Sequence, residues 1–264
     1  YKFSVLNTNN GLAGNFVMDI TQDHKGFIWI GTDAGLQRYD GRRFLTFKNK
    51  PGDLNSLPYN VVENIYEDKK KNLWVITSDD RIGLFSTSNF TYKEVAVPGI
   101  KKEGLMGIKH LVEDKDNNLF LAVEQQPKSI YKYSEKDKTF LPADFNDALP
   151  KDWLLTAFLY DKTSHRFWLA TDSGLVVYDP VRRQSSFRGH NVSNDPVIAK
   201  LGNERMINNI YIDVQQAFWC VTVADVYEPP VIHRYEMATA QKDTYTPFTT
   251  TKTNFRQLKN NFSQ

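Results

Sequence analysis

The chain contains little cysteine, no excess of charge of either sign and no long apolar run. Cys220 is the one cysteine in 264 residues, which rules out an intrachain disulfide, argues against a thiolate metal site and predicts a buried packing residue. The formal net charge of +2 gives no electrostatic reason to expect nucleic-acid binding, which needs a concentrated basic face. No apolar segment approaches the roughly 20 residues that a membrane-spanning helix requires. The sequence therefore resembles neither a disulfide scaffold nor a nucleic-acid-binding protein nor a membrane-spanning segment.

Sequence motifs of catalysis are also missing. No HExxH pair, GxSxG elbow, Walker loop or paired CxxC occurs, so we expect no catalytic residue, no metal site and no cofactor in this chain. The chain has five histidines, and none falls in a metal-ligand spacing: His24, His110, His165, His190 and His233. Of these, His24 and His165 are expected to be surface residues in turns. Aspartates recur at one position of a repeat and are predicted turn formers: Asp23, Asp68, Asp114, Asp161 and Asp213.

A repeated strand-turn-strand unit dominates the sequence. Residues 23–40 read DHKGFIWIGTDAGLQRYD, in which a turn cluster, an unbroken apolar run, a Gly-bearing turn and a second strand follow one another. The apolar run is too short for a helix and too apolar for a strand with a solvated face, so it predicts a strand covered on both sides. Two strands joined by such a turn predict a β-hairpin.

The unit occurs five times and is marked by an aromatic residue in its second strand. These aromatic residues, separated by 45, 46, 48 and 51 positions, are Trp29, Trp74, Phe120, Trp168 and Trp219. A period of this length without a helical pattern is typical of propeller blades. The predicted fold is all-β, a β-propeller of four-stranded antiparallel blades. The five aromatic residues are predicted to be structural, wedged between adjacent blades.

The repeat sets the expected boundaries. In the first copy, strands a to d are expected at residues 16–22, 27–32, 36–40 and 43–47. The blades are expected at residues 12–57, 58–104, 105–152, 153–204 and 205–250, the last with its strand d at 245–249. Residues 1–6 take the place of a strand d and are expected to be the stray outer strand of a closing blade. Because the blade that this strand would complete is missing, we expect the five repeats to be part of a larger propeller, with seven blades as the expected number.

The loops differ in length between the two ends of each blade. The a-to-b turns are tight and polar, whereas the connections between blades and several b-to-c loops are long and leave the sheets at the same face. Long loops on a rigid scaffold commonly bind ligands, and a saccharide needs apolar surface beside fixed hydrogen-bonding groups. The candidate ligand-binding residues on this face are Asp79, Asp80, Arg81, Glu124, Gln125, Gln126, Trp153, Asp172, Arg205, Tyr227 and Glu228. An acidic glycan would favour Arg81 and Arg205, because a guanidinium matches carboxylate and sulfate groups.

The first two repeats carry a resemblance to a known family. They read GLAGNFVMDITQDHKGFIWIGTDAGLQRYDGRRF and LNSLPYNVVENIYEDKKKNLWVITSDDRIGLF, with Asn55, Ser56 and Leu57 ahead of strand a and Leu73 and Trp74 after an acidic turn. These features resemble the two-component regulator propeller repeats in the periplasmic sensor domains of Bacteroidetes hybrid two-component histidine kinases. The fourth repeat matches well, whereas the third and fifth depart from the pattern of the b-to-c turn.

The resemblance implies a sensing function without enzyme activity in this chain. It implies the periplasmic sensor part of an inner-membrane protein, which binds an oligosaccharide released from a polysaccharide and signals to a histidine kinase outside this chain. The implied partners are the oligosaccharide, the rest of the propeller and C-terminal signalling domains of the same protein, with homodimerisation left open. Membrane attachment would come only through a segment absent from this chain.

Two alternatives remain open from the sequence. The first is a propeller lyase acting on a glycan or small molecule, in which His190, the one histidine on the long loops, would need a Glu or Tyr partner to abstract a proton. The second is a protein-interaction scaffold without a small ligand. A glycan panel separates the three readings, because binding without product indicates a sensor, unsaturated ends indicate a lyase, and no response favours the scaffold.

Overall fold

The computed structural model describes residues 5–99, 108–123, 129–202, 204, 206–223, 229–239 and 241–246. Within them the chain forms twenty β-strands, two three-residue 3-10 helices (Thr8–Asn10 and Asn146–Ala148) and one six-residue α-helix. The chain divides into two compact units, residues 1–113, 117–121 and 131–141, and residues 114–116, 122–130 and 142–264. The predicted all-β class is confirmed.

The strands form five four-stranded antiparallel sheets, and each sheet contains its strands in chain order. We call these sheets blades one to five. Blade one contains β1 (Val17–Gln22), β2 (Ile28–Thr32), β3 (Gly35–Tyr39) and β4 (Phe44–Phe47). Blade two contains β5 (Val62–Glu67), β6 (Leu73–Thr77), β7 (Arg81–Phe85) and β8 (Tyr92–Glu94). Blade three contains β9 (Ile108–Glu113), β10 (Leu119–Val123), β11 (Ile130–Ser134) and β12 (Thr139–Pro142). Blade four contains β13 (Leu155–Asp161), β14 (Arg166–Thr171), β15 (Leu175–Asp179) and β16 (Gln184–Phe187), and blade five contains β17 (Ile207–Ile212), β18 (Ala217–Thr222), β19 (Val231–Glu236) and β20 (Gln241–Tyr245).

The observed strands of blade one lie within one residue of the predicted ones. In blade five the position of strand d was predicted wrongly: it is β20, which begins four residues before the expected range of 245–249. The reason is a tight turn after β19, which pairs Glu236 with Gln241 and starts the last strand early. Of the segment predicted as a stray outer strand, the structure describes only Val5 and Leu6, which lie outside any strand.

The α-helix α1 (Pro196–Leu201) lies in the connection between blades four and five. Its first turn is capped by Asp195, whose Oδ1 accepts the N–H groups of Val197 and Ile198 at 2.9 and 3.2 Å. The apolar side of α1 packs into the core of the second unit. No helix among the described residues exceeds two turns.

In three blades a buried aspartate of the a-to-b turn accepts a hydrogen bond from a tryptophan six residues later. In blade one, Asp23 Oδ1 accepts the backbone N–H groups of Lys25 and Phe27, and Asp23 Oδ2 accepts the indole N–H of Trp29 at 2.8 Å. The same indole-to-carboxylate bond joins Trp74 to Asp68 at 2.9 Å and Trp219 to Asp213 at 2.8 Å. The predicted turn formers therefore also fix the wedge tryptophans, through hydrogen bonds strengthened by the carboxylate charge.

The other two blades lack this bond for two different reasons. In blade four the turn is one residue longer, and Asp161 Oδ2 accepts the hydroxyl of Ser164 at 2.5 Å instead. The indole N–H of Trp168 is buried and has no acceptor among the described residues. Blade three has Phe120, whose side chain carries no N–H group. The bond thus needs both the six-residue spacing and a tryptophan.

Three of the wedge aromatics contact the following blade. Trp29 is fully buried and packs edge-on against Phe85 of blade two, with 5.6 Å between ring centroids. Gly31 permits this close approach, since a Cβ atom there would lie 2.7 Å from the carbonyl oxygen of Val62. Equivalent contacts are those of Trp74 with Tyr133 at 4.9 Å and of Trp168 with Phe218 at 4.8 Å.

A polar contact between successive blades repeats three times. In each case the acceptor is the side chain of the residue just before the turn aspartate of one blade. The donor is the backbone N–H of the residue just after the turn aspartate of the preceding blade. The pairs are Glu67 with His24 at 2.9 Å, Glu113 with Lys69 at 3.1 Å, and the Tyr160 hydroxyl with Lys115. In the first pair, Nδ1 of the His24 imidazole also lies 2.7 Å from Glu67 Oε1. His24 is therefore part of an inter-blade contact, which the prediction of a surface turn residue missed.

Strand β1 exposes apolar side chains whose counterparts in β5 are buried. Val17 and Ile20 are 40% and 59% exposed, whereas Val62 and Ile65, 45 positions later, are 0% and 4% exposed. Blade one covers β5 in blade two, and within the described residues of the first unit no blade covers β1 in the same way. Blade one thus presents a face of the kind that a further blade covers.

Candidate functional site

The candidate residues Asp79, Asp80 and Arg81 lie in the b-to-c turn of blade two. Arg81 pairs with Thr77 of the preceding strand, at the position where blade one has Gly35. The Arg81 guanidinium lies 2.7 Å from Asp79 Oδ2, and its side chain is 37% exposed. Asp80 adopts a left-handed conformation with φ of 59°, which closes the turn. Arg81 is therefore accessible to a ligand, but its charge is already paired within the protein.

The connection between blades one and two, residues 49–58, faces this turn and is braced by its own hydrogen bonds. Ser56 Oγ accepts the N–H of Lys50 at 2.9 Å and donates to the carbonyl of Asp53 at 2.8 Å. The carbonyl of Asn55 accepts the N–H of Tyr92 at 2.7 Å, which ties the loop to β8. The loop is therefore held in one conformation before any ligand binds.

The loop and the turn enclose a cleft of about 180 Å³. Its polar lining includes Arg81, Glu94 and Tyr92. Tyr92 is 3% exposed, and its hydroxyl has no hydrogen-bond partner among the described residues. Burial raises the pKa of Tyr92, and the charges of Glu94 and Asp79 raise it further, so the hydroxyl stays protonated. In the first unit, a b-to-c turn and a long inter-blade loop thus line one recess.

Sequence reasoning selected Arg81 and missed Tyr92. Arg81 was selected because it lies in a b-to-c loop on the long-loop face, where its guanidinium could pair with an acidic glycan. Strand d carries an aromatic residue in several repeats, for example Phe44, Phe140 and Phe187, so Tyr92 reads as a core residue. Only the three-dimensional surroundings show that its hydroxyl lacks a partner.

A second cleft of about 370 Å³ adjoins the same loop and has a more aromatic lining. Phe47, Phe85 and Phe90 line it, with 4.8 and 5.0 Å between neighbouring ring centroids. Phe90 has a φ of 59° and is 37% exposed. The Arg38 guanidinium lies 5.2 Å from the Phe90 ring centroid and draws that ring towards blade one. Because the rings pack mainly on one another, this cleft is chiefly part of the packing between blades one and two.

The candidates Trp153 and Asp172 lie together in the second unit, at the b-to-c end of blade four. Asp172 Oδ1 accepts the backbone N–H of Leu154 at 3.0 Å. The Trp153 ring lies 5.6 Å from that of Phe187, and it covers Gly174, where a Cβ atom would come within 3.2 Å of the indole. The Asp172 carboxylate therefore holds the loop that carries Trp153, and Trp153 is half-buried against the blade. The candidates Asp79, Asp80 and Arg81 belong to the first unit.

The remaining candidates lie outside the described residues. They are Glu124, Gln125, Gln126, Arg205, Tyr227 and Glu228. Their role as ligand-binding residues stays a prediction.

A buried polar cluster in blade five was not found from the sequence. His233 is 6% exposed and bonds through its two ring nitrogens to Thr222 and Thr244 at 3.2 and 3.1 Å. Glu204 lies 3.5 Å from His233 and also accepts Lys242 at 2.5 Å. Burial lowers the pKa of His233, while the Glu204 carboxylate acts in the opposite direction. The imidazole is thus held neutral by its surroundings, inside the blade.

Other residues considered from the sequence have simple environments. Cys220 is 1% exposed, as predicted, and burial raises the pKa of its thiol to about 12. His190 is exposed beside the Phe187 ring, and no described carboxylate or tyrosine hydroxyl is bonded to it. No group of three or more His, Cys, Asp and Glu side chains within the described ranges is arranged to hold a metal ion. None of the described helices is long and apolar enough to cross a membrane.

Sequence comparison identifies the repeats. The family model described as two-component regulator propeller matches residues 11–34 and 56–79, which are parts of the first two repeats. Among curated proteins, histidine kinase P4 from Formosa agariphila is 37% identical over 57 residues, which cover 22% of this chain and 4% of that protein. The third to fifth repeats fall outside these matches, which agrees with the divergent turns of the third and fifth but not with the expected good match of the fourth.

Structure comparison finds the same fold in larger proteins. The extracellular domain of BT3049 from B. thetaiotaomicron, assigned to the hybrid two-component systems, matches with a TM-score of 0.66 and 18% identity over 91% of this chain and 31% of that chain. The corresponding domain of BT4673 matches with a TM-score of 0.61 and 20% identity, over 89% of this chain and 30% of that chain. PorZ is a surface component of the type-IX secretion system of Porphyromonas gingivalis. It matches with a TM-score of 0.58 and 11% identity, over 90% of this chain and 36% of that chain. The chain thus spans about a third of each of these structures. The chain has a β-propeller fold, and its residues 11–34 and 56–79 match the two-component regulator propeller repeat.

Proposed function

We propose that this chain is the ligand-binding part of a periplasmic sensor in a hybrid two-component signalling protein. In this proposal it binds an oligosaccharide derived from a polysaccharide, and the signal passes to a histidine kinase located outside this chain. The chain itself contributes binding and no catalysis. The rest of the propeller and the signalling domains belong to the same protein.

The repeat match carries this proposal. The two-component regulator propeller model matches parts of the first two blades, and two solved structures of similar fold are extracellular domains assigned to hybrid two-component systems. The curated relative is a histidine kinase. Because the chain covers only a small part of each relative, a kinase domain in its own protein is part of the proposal.

The geometry of the first unit supports binding at the face that carries the long loops. There the braced loop of residues 49–58 and the b-to-c turn of blade two form a recess with polar and apolar walls. A site that is formed in advance loses less entropy on binding than one that must be ordered. Sensing of a small soluble ligand requires such a recess.

The proposal is tested by offering the chain a panel of oligosaccharides. We expect at least one of them to raise the thermal midpoint and to bind in titration calorimetry without being consumed. Arg81→Ala and Trp153→Ala probe the recess and the end of blade four. The control is Lys136→Ala, which changes an exposed residue in a c-to-d turn. His24→Ala is unsuitable as a control, because it removes the contact with Glu67.

Two other outcomes would replace this proposal. New unsaturated ends in the oligosaccharides would indicate a lyase, although no described carboxylate or tyrosine is placed beside His190 to help it abstract a proton. No response to any oligosaccharide would favour a protein-interaction scaffold, for which the exposed apolar side chains of β1 provide a contact surface.

A further inference from the structure

The recess in the first unit contains a buried hydroxyl without a partner. Tyr92 lines the cleft, is 3% exposed, and donates to or accepts from no group among the described residues. Buried polar groups are almost always hydrogen-bonded, because leaving one unpaired is costly. A ligand that supplies the missing partner is therefore favoured at this position.

The position of this hydroxyl is fixed by packing. The Tyr92 ring covers Gly83, where a Cβ atom would come within 2.5 Å of Cζ and 2.7 Å of the hydroxyl oxygen. The backbone N–H of Tyr92 is held by the carbonyl of Asn55 in the loop. The side chain is therefore held in a fixed position, among the residues that line the cleft, by the strand and the loop.

The charges around the cleft balance one another. The two cations of the lining, Lys50 and Arg81, are matched by two anions, Asp53 and Glu94. Arg81 is in addition within 2.7 Å of Asp79 and 3.9 Å of Glu94. An anionic ligand would have to displace these carboxylates, whereas an uncharged ligand would leave the ion pairs in place. The pairing therefore disfavours the acidic glycan for which Arg81 was selected from the sequence.

The lining of the cleft also has an apolar part. It comes from Pro51, Leu54, Leu57 and Pro58, of which Leu54 is 94% exposed at the tip of the loop. The volume of about 180 Å³ leaves room for a group of the size of one sugar ring. A pyranose combines C–H surface with hydroxyl groups, and so matches a lining that has both apolar side chains and fixed polar groups.

We propose that this cleft binds one uncharged sugar unit of the ligand, with the Tyr92 hydroxyl bonded to a sugar hydroxyl and Leu54 against the C–H face of the ring. This inference rests on the proposed sensing of oligosaccharides, and it adds the position of the site and the charge class of the ligand. Arg81 then acts as a neutralised hydrogen-bond donor at the mouth of the cleft.

The test uses Tyr92→Phe in the full chain, which removes the hydroxyl and keeps the ring. The matched control is Tyr235→Phe, because Tyr235 in blade five is also fully buried and also has a hydroxyl without a partner. Calorimetry is done with uncharged manno-, xylo-, arabino- and galacto-oligosaccharides and with acidic oligogalacturonates and chondroitin sulfate disaccharides. We expect an uncharged oligosaccharide to bind, and Tyr92→Phe to weaken it about tenfold, as for one lost hydrogen bond. Tyr235→Phe should leave the affinity unchanged.

A second variant and a stability measurement complete the test. Leu54→Ser changes an exposed residue, so the fold should persist while the affinity falls several-fold. Tyr92→Phe should not lower the thermal midpoint, because the hydroxyl it removes has no partner in the unbound protein. A lower midpoint would show that the hydroxyl has a structural role and would overturn the site.

The failure of this inference differs from the failure of the proposed function. Binding that is unaffected by Tyr92→Phe and Leu54→Ser would place the ligand elsewhere and leave the sensing role intact. Binding of only acidic oligosaccharides, lost in Arg81→Ala, would overturn the charge class. No binding of any oligosaccharide would overturn the sensing of oligosaccharides and this site together.

Discussion

The bond between Trp74 and Asp68 predicts that two equivalent tryptophans differ in their tolerance of phenylalanine. Trp74 and Trp168 hold the same position in blades two and four and are 1% and 0% exposed. Changing either to Phe removes part of the indole from a packed core, so the loss of packing is similar in both. Trp74 additionally donates to the Asp68 carboxylate at 2.9 Å, whereas the indole N–H of Trp168 has no acceptor among the described residues.

The expected difference follows from the value of one hydrogen bond. A hydrogen bond to a charged group contributes about 1.5–3 kcal/mol to stability. Trp74→Phe removes such a bond, while Trp168→Phe removes a buried donor that was already unpaired. We therefore expect Trp74→Phe to reduce the free energy of unfolding by at least about 1.5 kcal/mol more than Trp168→Phe does. The packing contribution is common to both and cancels in the comparison.

The assay is urea unfolding combined with native-state hydrogen exchange. Because the chain has two compact units, the exchange rates of amides in β6 and β14 report each site separately. Double-mutant cycles combine Trp74→Phe with Asp68→Asn, and Trp168→Phe with Asp161→Asn. The first cycle should give a clear coupling energy and the second almost none. Equal losses for the two Trp→Phe variants, or equal couplings, would refute the assignment of this bond as a stabilising interaction.

Three further predictions concern contacts between blades, pH and association. Glu113→Ala should lower the unfolding free energy by about 1–3 kcal/mol, since it leaves the Lys69 amide without its acceptor; an unchanged urea midpoint would contradict this. The chain should lose stability as the pH falls below 6.5, because burial lowers the pKa of His233 and the unfolded chain takes up the proton first. His233→Gln should reduce the dependence of the unfolding free energy on pH. An unchanged dependence would mean that other groups cause it. Ile20→Lys should reduce self-association of the chain in sedimentation experiments, because Ile20 and Val17 lie on the exposed apolar face of β1; a wild-type chain that is monomeric at high concentration would contradict the reasoning.

The sequence by itself determined the blades, because their signals are local. Apolar runs, polar turns and the repeat of about 45 residues placed the strands of blade one within one residue of their observed bounds. In the first, second and fifth repeats the turn aspartate and the tryptophan are six residues apart, and this spacing could have predicted their hydrogen bond. The seven-residue spacing in blade four could likewise have predicted its loss. The prediction failed for β20, where only the pairing of β19 with its neighbour decides where the last strand begins.

The tertiary structure alone decided which polar groups are already paired. Asp79 and Arg81 were selected from their place in a loop, but their pairing with each other depends on the conformation of the turn. Glu67 and His24 are 43 residues apart and meet only because successive blades pack side by side. The hydroxyl of Tyr92 has no hydrogen-bond partner among the described residues, and Tyr92 lines a cleft together with a loop that ends 34 residues before it, at Pro58. Hydrogen bonding and charge pairing depend on distances of a few ångströms between segments far apart in the chain, and the local sequence pattern carries no information about those distances.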